Sequence, residues 1–246
     1  MPETKLLGLL LADMDAVTAA AALASRAAEA PFAYVMTPNA DNFVRVSRDP
    51  ALRGIYQRAV IRLLDSRVVA RAARLLALSP PAVAPGSDLT AELLRHHLIP
   101  GERVAIIGLR PAYLPPLIAA CGIAPPFHHD PPMGFERDPA AVRAAVEFVL
   151  AHPARFVFLA VGSPRQEMLA DAIRATGRAT GLGLCVGASL EFLAGASRRA
   201  PRWMRRAGLE WLHRLVSDPK RLARRYLIDD LPIFKLLLRE RLARRA

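Results

Sequence analysis

A polar side chain that directly follows an apolar run is well placed to meet a ligand, and five segments of this chain have that form. Asp65 closes the apolar run 60–64 and heads Asp65-Ser66-Arg67. A lone carboxylate there reads either as a general base for a hydroxyl or as the N-cap of a helix starting at Val68. Thr37-Pro38-Asn39-Ala40-Asp41 offers Thr37 and Asn39 to a sugar hydroxyl or a nucleobase, or else to a local Asx or Ser/Thr turn. Gly162-Ser163-Pro164 sets Ser163 to cap a helix with Pro164 as its first residue. The free amides of such a helix start suit a phosphate, although a plain capped helix reads the same way. Gly108 before Leu109-Arg110-Pro111, and Gly187 before Ala188-Ser189-Leu190-Glu191, read as tight turns at the same edge.

The histidines point elsewhere. His96 and His97 are adjacent on a helical stretch, where neighbours face different directions, and nothing nearby has zinc-like spacing. His128 and His129 fall in a proline-rich segment, 128–135, that reads as a loop covering a ligand. No metal is expected.

The elements that must position these residues follow from periodicity. Short apolar runs at 5–11, 32–36, 62–64, 103–107, 156–161 and 182–186 read as strands. Between them, 17–29, 40–57, 68–76, 90–97, 112–121, 140–151 and 164–176 carry apolar residues three and four apart and read as helices. Such alternation predicts an α/β fold: a Rossmann-like, mostly parallel sheet with helices on both faces. In open sheets of this kind ligands bind beyond the carboxyl ends of the strands, where all five polar segments lie.

The charge is unevenly spread. Of a net +12, the stretch from Arg198 to Ala246 holds 15 Lys and Arg against five Asp and Glu, and the preceding 197 residues hold 19 against 17. A nearly neutral body, 1–195, is thus followed by a basic helical appendage, 196–246. Ser217-Asp218-Pro219 marks a helix boundary within that appendage, and Asp230-Leu231-Pro232 opens a last amphipathic helix at 233–245. A basic segment of this kind predicts a polyanionic partner. Ile233, Phe234, Leu236, Leu237 and Leu238 among Lys235, Arg239, Arg241, Arg244 and Arg245 suit either an interfacial helix on anionic lipid or a contact between copies in a homo-oligomer. Two distant cysteines fit a reducing compartment. The opening apolar run, followed by Asp13 and Asp15, reads as a first strand rather than a signal peptide, and no run is long enough to span a bilayer.

Recognition enters through longer motifs. VGASLEFLAG at 186–195, RAPRWM at 199–204, GLEWLHRL at 208–215, PKRL at 219–222 and RRY at 224–226 closely resemble the signature of the WecG/TagA/CpsF glycosyltransferase family. TPN at 37–39, GSDL at 86–89, Gly108 and GSPRQE at 162–167 look like its other blocks, in the same order. The resemblance spans roughly 5–228 and is closest to exopolysaccharide-type members. It implies an inverting transferase with no metal or other cofactor, working at the inner face of the cell membrane. Its donor would be a UDP-sugar and its acceptor a polyprenyl-diphosphate-linked sugar; the products would be teichoic acid, enterobacterial common antigen, capsule or exopolysaccharide. Asp65 would be the base, with Thr37 in the same pocket. Asn39, Gly108 and Ser163 would line the donor side, with Gln166 and Glu191 on the ribose or base. Arg214, Arg221 and Arg224 or Arg225 would meet the diphosphate, and the appendage would close the site and dock on the membrane. Many members have Asp-Gly where this chain has Asp65-Ser66, and Phe-Asp where it has Leu190-Glu191.

Two other readings are weaker. A dinucleotide-dependent oxidoreductase lacks its G-x-G-x-x-G after the first strand. A nucleic-acid binder would need a reader motif, and the tail offers only Trp203, Trp211, Tyr226 and Phe234 among its charges. A member that has lost activity and only scaffolds an assembly complex is the third alternative, prompted by Ser66.

Overall fold

The computed structural model describes residues 2–197 and 199–244, without the side chains of Arg202, Arg206 and Arg221. Its strands, in chain order, are β1 (Glu3–Leu6), β2 (Leu9–Ala12), β3 (Ala33–Met36), β4 (Ile61–Arg62), β5 (Ala105–Gly108), β6 (Phe127–His129), β7 (Phe156–Ala160) and β8 (Leu182–Cys185). The last six form one sheet in the order β4-β3-β8-β7-β5-β6, and every pairing in it is parallel. Parallel strands covered on both sides read as unbroken apolar runs, which is why Phe156 to Leu159 and Leu182 to Cys185 carry no polar alternation. Side chains still alternate by face. Tyr34, Met36, Ala105, Ile107, Val157 and Leu159 enter one core, whereas Val35, Val104, Ile106, Phe156, Phe158 and Leu184 enter the other. Helices Ala40–Arg48, Arg67–Leu75, Pro139–Ala151 and Arg165–Ala175 close the first core. Helices Ala16–Ala24, Gly86–His96 and Leu114–Cys121 close the second. The α/β reading therefore stands.

Several expectations need correction. The run 5–11 is not one strand of the main sheet. It folds into the antiparallel hairpin β1–β2, because Leu7 and Gly8 take φ of 52° and 80°, the successive positive values that reverse a chain in two residues. The helix expected at 40–57 is two, Ala40–Arg48 and Pro50–Arg58. Pro50 supplies no amide, and Asp49 turns out of helical conformation to cap the second helix at the amides of Ala51 and Leu52. The helix expected from Thr90 starts at Gly86. The segment expected as a loop at 128–135 begins as the edge strand β6. Flanking prolines hide a three-residue strand from periodicity, and an edge position is where they are tolerated.

The C-terminal region is helical, as its sequence indicates: Arg202–Arg206, Glu210–Ser217, Pro219–Arg224, a π-turn at Arg225–Asp229, and Pro232–Ala243. Its last helix is bound into the body rather than standing apart. Ile233 and Leu237 are 2% and 0% exposed and join the first core. The Leu7 amide donates to Glu240 Oε2 at 2.5 Å. Arg245, expected in this helix, lies outside the described residues, as does Arg198 at the start of the tail. Among the described residues no helix is long and apolar enough to cross a membrane.

Candidate active site

The carboxyl ends of the strands open into one cavity of about 1190 Å³. The strand-end loops form one wall, and residues between Arg205 and Phe234 form the other.

Asp65 sits where the two walls meet. Its own amide donates to Pro38 O at 3.0 Å, which fixes it beside the end of β3. It does not cap the following helix: Ser66 does, its oxygen accepting from the Val69 amide at 3.2 Å. The side chain of Asp65 is therefore left for the cavity, and Ser66 has a structural reason of its own. Burial pushes the Asp65 carboxyl up to about 7. The Gly86 amide, donating to it from the start of helix Gly86–His96, and the charge of Arg214 hold it down; Glu210 and Asp88 raise it further. Gly86 is required at that spot. A Cβ would stand 2.8 Å from Thr37 Oγ1 and 3.5 Å from Asp65 Oδ2, so Thr37, Asp65 and the helix start are pressed together. A carboxyl that titrates near neutrality can take a proton from a hydroxyl at physiological pH.

The strand wall is tied internally. Asn39 caps helix Ala40–Arg48 in a reciprocal box with Asn42, so its oxygen is engaged as the turn reading expected. Asn42 is buried and its amide nitrogen donates to Ser163 Oγ at 3.0 Å. The expected capping by Ser163 is not found. Helix Arg165–Ala175 starts one residue later than expected, with Pro164 at the cap position and no side-chain bond there, and Ser163 serves Asn42 instead. Gln166 is buried, its Oε1 accepts from the Gly187 amide at 2.9 Å, and its Nε2 donates to Glu167 Oε1 at 3.2 Å. Tyr56 also donates to that oxygen, at 3.2 Å, and burial pushes the Glu167 carboxyl up. Gln166 thus joins the β7 and β8 loops. Gly108, at φ 86°, packs its bare Cα against β7, where a Cβ would stand 2.9 Å from the Ala160 backbone. Glu191 is exposed and lines the cavity from the short helix Ser189–Leu193.

The tail wall carries the charge. Arg214 lines the cavity with its guanidinium 5.5 Å from the centroid of Phe192. Arg225 lines it too and lies 3.3 Å from Asp41 Oδ2. Arg224 does not line it; that side chain is exposed and lies 3.9 Å from Asp229. The structure therefore separates the two neighbours and brings Arg225 to the site. Arg221 is on helix Pro219–Arg224, and its side chain lies outside the described residues.

Sequence reasoning missed the groups that hold these residues. Asp41 is buried and accepts from Arg45 Nε at 2.8 Å as well as facing Arg225. Asp88, within a recognised motif, pairs with Arg199 at 2.8 Å and Arg205 at 3.4 Å and so anchors the tail beside Asp65. Burial pushes Asp230, on the tail wall, up to about 6, against the pull of Arg225. The signal for Asp41 was an acid at the second position of a helix with an arginine four residues on. Nothing local pointed to Asp230. Among the described residues no three His, Cys, Asp or Glu side chains gather into a metal-holding group.

The family model described as the glycosyl transferase WecG/TagA/CpsF family covers residues 4–246.

Proposed function

The chain belongs to the WecG/TagA/CpsF family of glycosyl transferases, and from that premise we propose that it is an inverting, UDP-sugar-dependent enzyme acting on a polyprenyl-diphosphate-linked saccharide in bacterial surface-polysaccharide synthesis. The observation that carries this reading is Asp65. It is a half-buried carboxyl raised to about 7, gathered with Thr37 around Gly86 at the carboxyl edge of the sheet, with Arg214 acting on it from the opposite wall.

The acceptor hydroxyl oxygen attacks the anomeric carbon from the face opposite the nucleotide. As that bond forms, the bond from the anomeric carbon to the UDP oxygen breaks, and its electron pair leaves with the diphosphate. Asp65 takes the hydroxyl proton. Negative charge that grows on the leaving group is met by positive groups already in place, which lowers the barrier without reorganisation. Arginine suits this work because its planar fork pairs with phosphate oxygens. Arg214 and Arg225 fill that role here, and the reaction proceeds without a metal. The donor lies along the strand wall. Thr37, Asn39, Gly108, Ser163 and Glu191 flank it, while Gln166 shapes the Gly187 turn beneath it.

The last helix fits a role at an anionic membrane surface on the cytoplasmic side. Ile233 and Leu237 are used inside the protein, so Phe234, Leu238 and Leu242, at 47%, 48% and 58% exposure, are the residues that would enter the interface, beside Lys235 and Arg239.

Thermal-shift binding with UDP, UDP-sugars, GDP-sugars and NAD, in EDTA, tests the class. Stabilisation by UDP and one UDP-sugar is expected. Stabilisation by NAD alone, or no nucleotide response even with an acceptor analogue present, would overturn the reading.

A further inference from the structure

The turn after β5 has a backbone shape that ordinary residues avoid. Gly108 and Leu109 are both left-handed, at φ 86° and 68°. For Gly108 the reason is steric, since no Cβ fits against Ala160 and Val161 Cγ1. Leu109 has a Cβ, which disfavours that conformation, so something else must hold it. The side chain is buried in the second core, which anchors it but does not orient its peptide groups.

His128 does orient them. It lies in the middle of the edge strand β6, and its Nε2 is 3.0 Å from Gly108 O and 2.8 Å from Leu109 O. Both partners are carbonyls and can only accept, so Nε2 carries the proton. One N–H is shared between two successive acceptors. A trans peptide points its carbonyl and its amide in opposite directions. Drawing both carbonyls toward β6 therefore turns the amides of Leu109 and Arg110 toward the β7 side, and all three of Gly108, Leu109 and Arg110 line the cavity. The neighbouring His129 differs. Its ring lies 5.3 Å from that of Phe148 in a stacked pair, and its buried Nε2 has no hydrogen-bond partner among the described residues, so packing accounts for it.

We propose that His128 is a positioning residue of the donor site, its Nε2–H clamping the Gly108-Leu109 turn in the shape that receives the nucleotide-sugar. This rests on the donor lying along the strand wall. Neutral imidazole protonated at Nε2 and imidazolium both donate from that atom, so the clamp holds in either charge state.

Two variants of the full chain test it. His128→Phe keeps a ring and removes the donor; His128→Gln returns an N–H group at the same reach. The Michaelis constants for UDP-sugar and for acceptor are measured separately, alongside backbone hydrogen exchange over residues 108–111. His128→Phe should raise the donor constant about tenfold, the scale of one hydrogen bond, leave the acceptor constant and Tm near their starting values, and speed exchange at Leu109 and Arg110. His128→Gln should restore both. Unchanged donor constant and exchange in His128→Phe would overturn the clamp. So would a loss spread over both substrates and Tm that glutamine does not rescue. If the native protein turns over no UDP-sugar, the donor reading fails by itself, and the exchange arm still decides whether His128 holds the turn.

Discussion

The two walls of the cavity are built by different means. On the strand side, Asn42, Ser163, Gln166, Glu167 and Tyr56 bond mainly to one another, and Gln166 also takes the Gly187 amide, so the loop ends are joined before any ligand arrives. On the tail side, Arg225 meets Asp41 and Arg205 meets Asp88 through ion pairs, and both of these arginines line the cavity. The first arrangement suits a surface that must hold one shape for a nucleotide. The second suits a wall whose cations exchange one anionic partner for another. Asp65 lies at the seam and takes its properties from both: its seat from β4 and the Gly86 amide, and its titration in part from Glu210 and Arg214.

The strongest test of this division is Asp65→Asn. A general base contributes roughly 10²- to 10⁴-fold to rate, so kcat should fall within that range while UDP-sugar affinity, measured by calorimetry, stays constant. The same variant should gain stability. A buried carboxyl whose folded value is raised above that of the unfolded chain binds its proton more tightly when folded. Its presence therefore costs stability as pH rises from about 4 toward about 7, and that cost remains above 7. At pH 8 the asparagine variant should melt a few degrees higher. A fall in both activity and Tm would place Asp65 in the structure rather than in the chemistry.

Next in size is the last helix. Leu237→Ala should lose about 2–5 kcal/mol of stability, because it empties a site in the first core. Leu238→Ala, one residue on and 48% exposed, should leave stability nearly unchanged and weaken binding to anionic vesicles. Equal losses of stability from the two would contradict the packing of this helix against the body.

How much of this was legible depended on the range of the interactions. The parallel sheet and the placing of Thr37, Asp65, Gly108 and Ser163 at its edge follow from strand and helix periods, which are local. The hairpin was not legible, because Leu7-Gly8 carries no strong turn dipeptide and the apolar run continues through it. β6 was hidden by its prolines. The role of Ser66 as a cap became clear only with the helix boundary one residue earlier than its periodicity suggested. The choice of Arg225 over Arg224 could not be read from sequence, since it depends on the π-turn at Arg225–Asp229 and on Asp41, about 180 positions away. Glu210 acts on Asp65 from the far end of the chain and Asp88 from the start of the next helix, and only the folded chain brings them together.

The arginines sharpen the contrast between the walls. Arg225→Ala removes a cavity-lining guanidinium and, among the described residues, leaves buried Asp41 paired with Arg45. Charge-assisted bonds contribute about 1.5–3 kcal/mol, so kcat/KM should fall about 10- to 100-fold. Arg224→Ala, exposed and outside the cavity, should change it less than about threefold, the scale of an exposed ion pair. Equal effects would mean that the tail rearranges when substrate binds.

The smallest expected effect is the most direct probe of the seam. In the proposed mechanism Asp65 acts in its ionised form, so kcat/KM should rise with pH through a midpoint near 7. Glu210 stands on the tail and raises the Asp65 value by repulsion. Glu210→Gln removes that charge, so Asp65 should ionise more easily and the midpoint should move toward acid, by less than about one unit given that burial is the larger cause. Arg214→Gln should move it the other way, because the lost cation had favoured the carboxylate. Opposite displacements from two residues of one helix turn, with the amplitude of the Glu210 variant preserved, would mean that the tail tunes the base held by the strand wall. A midpoint indifferent to both would mean that the strand wall alone sets it, through burial and the Gly86 amide.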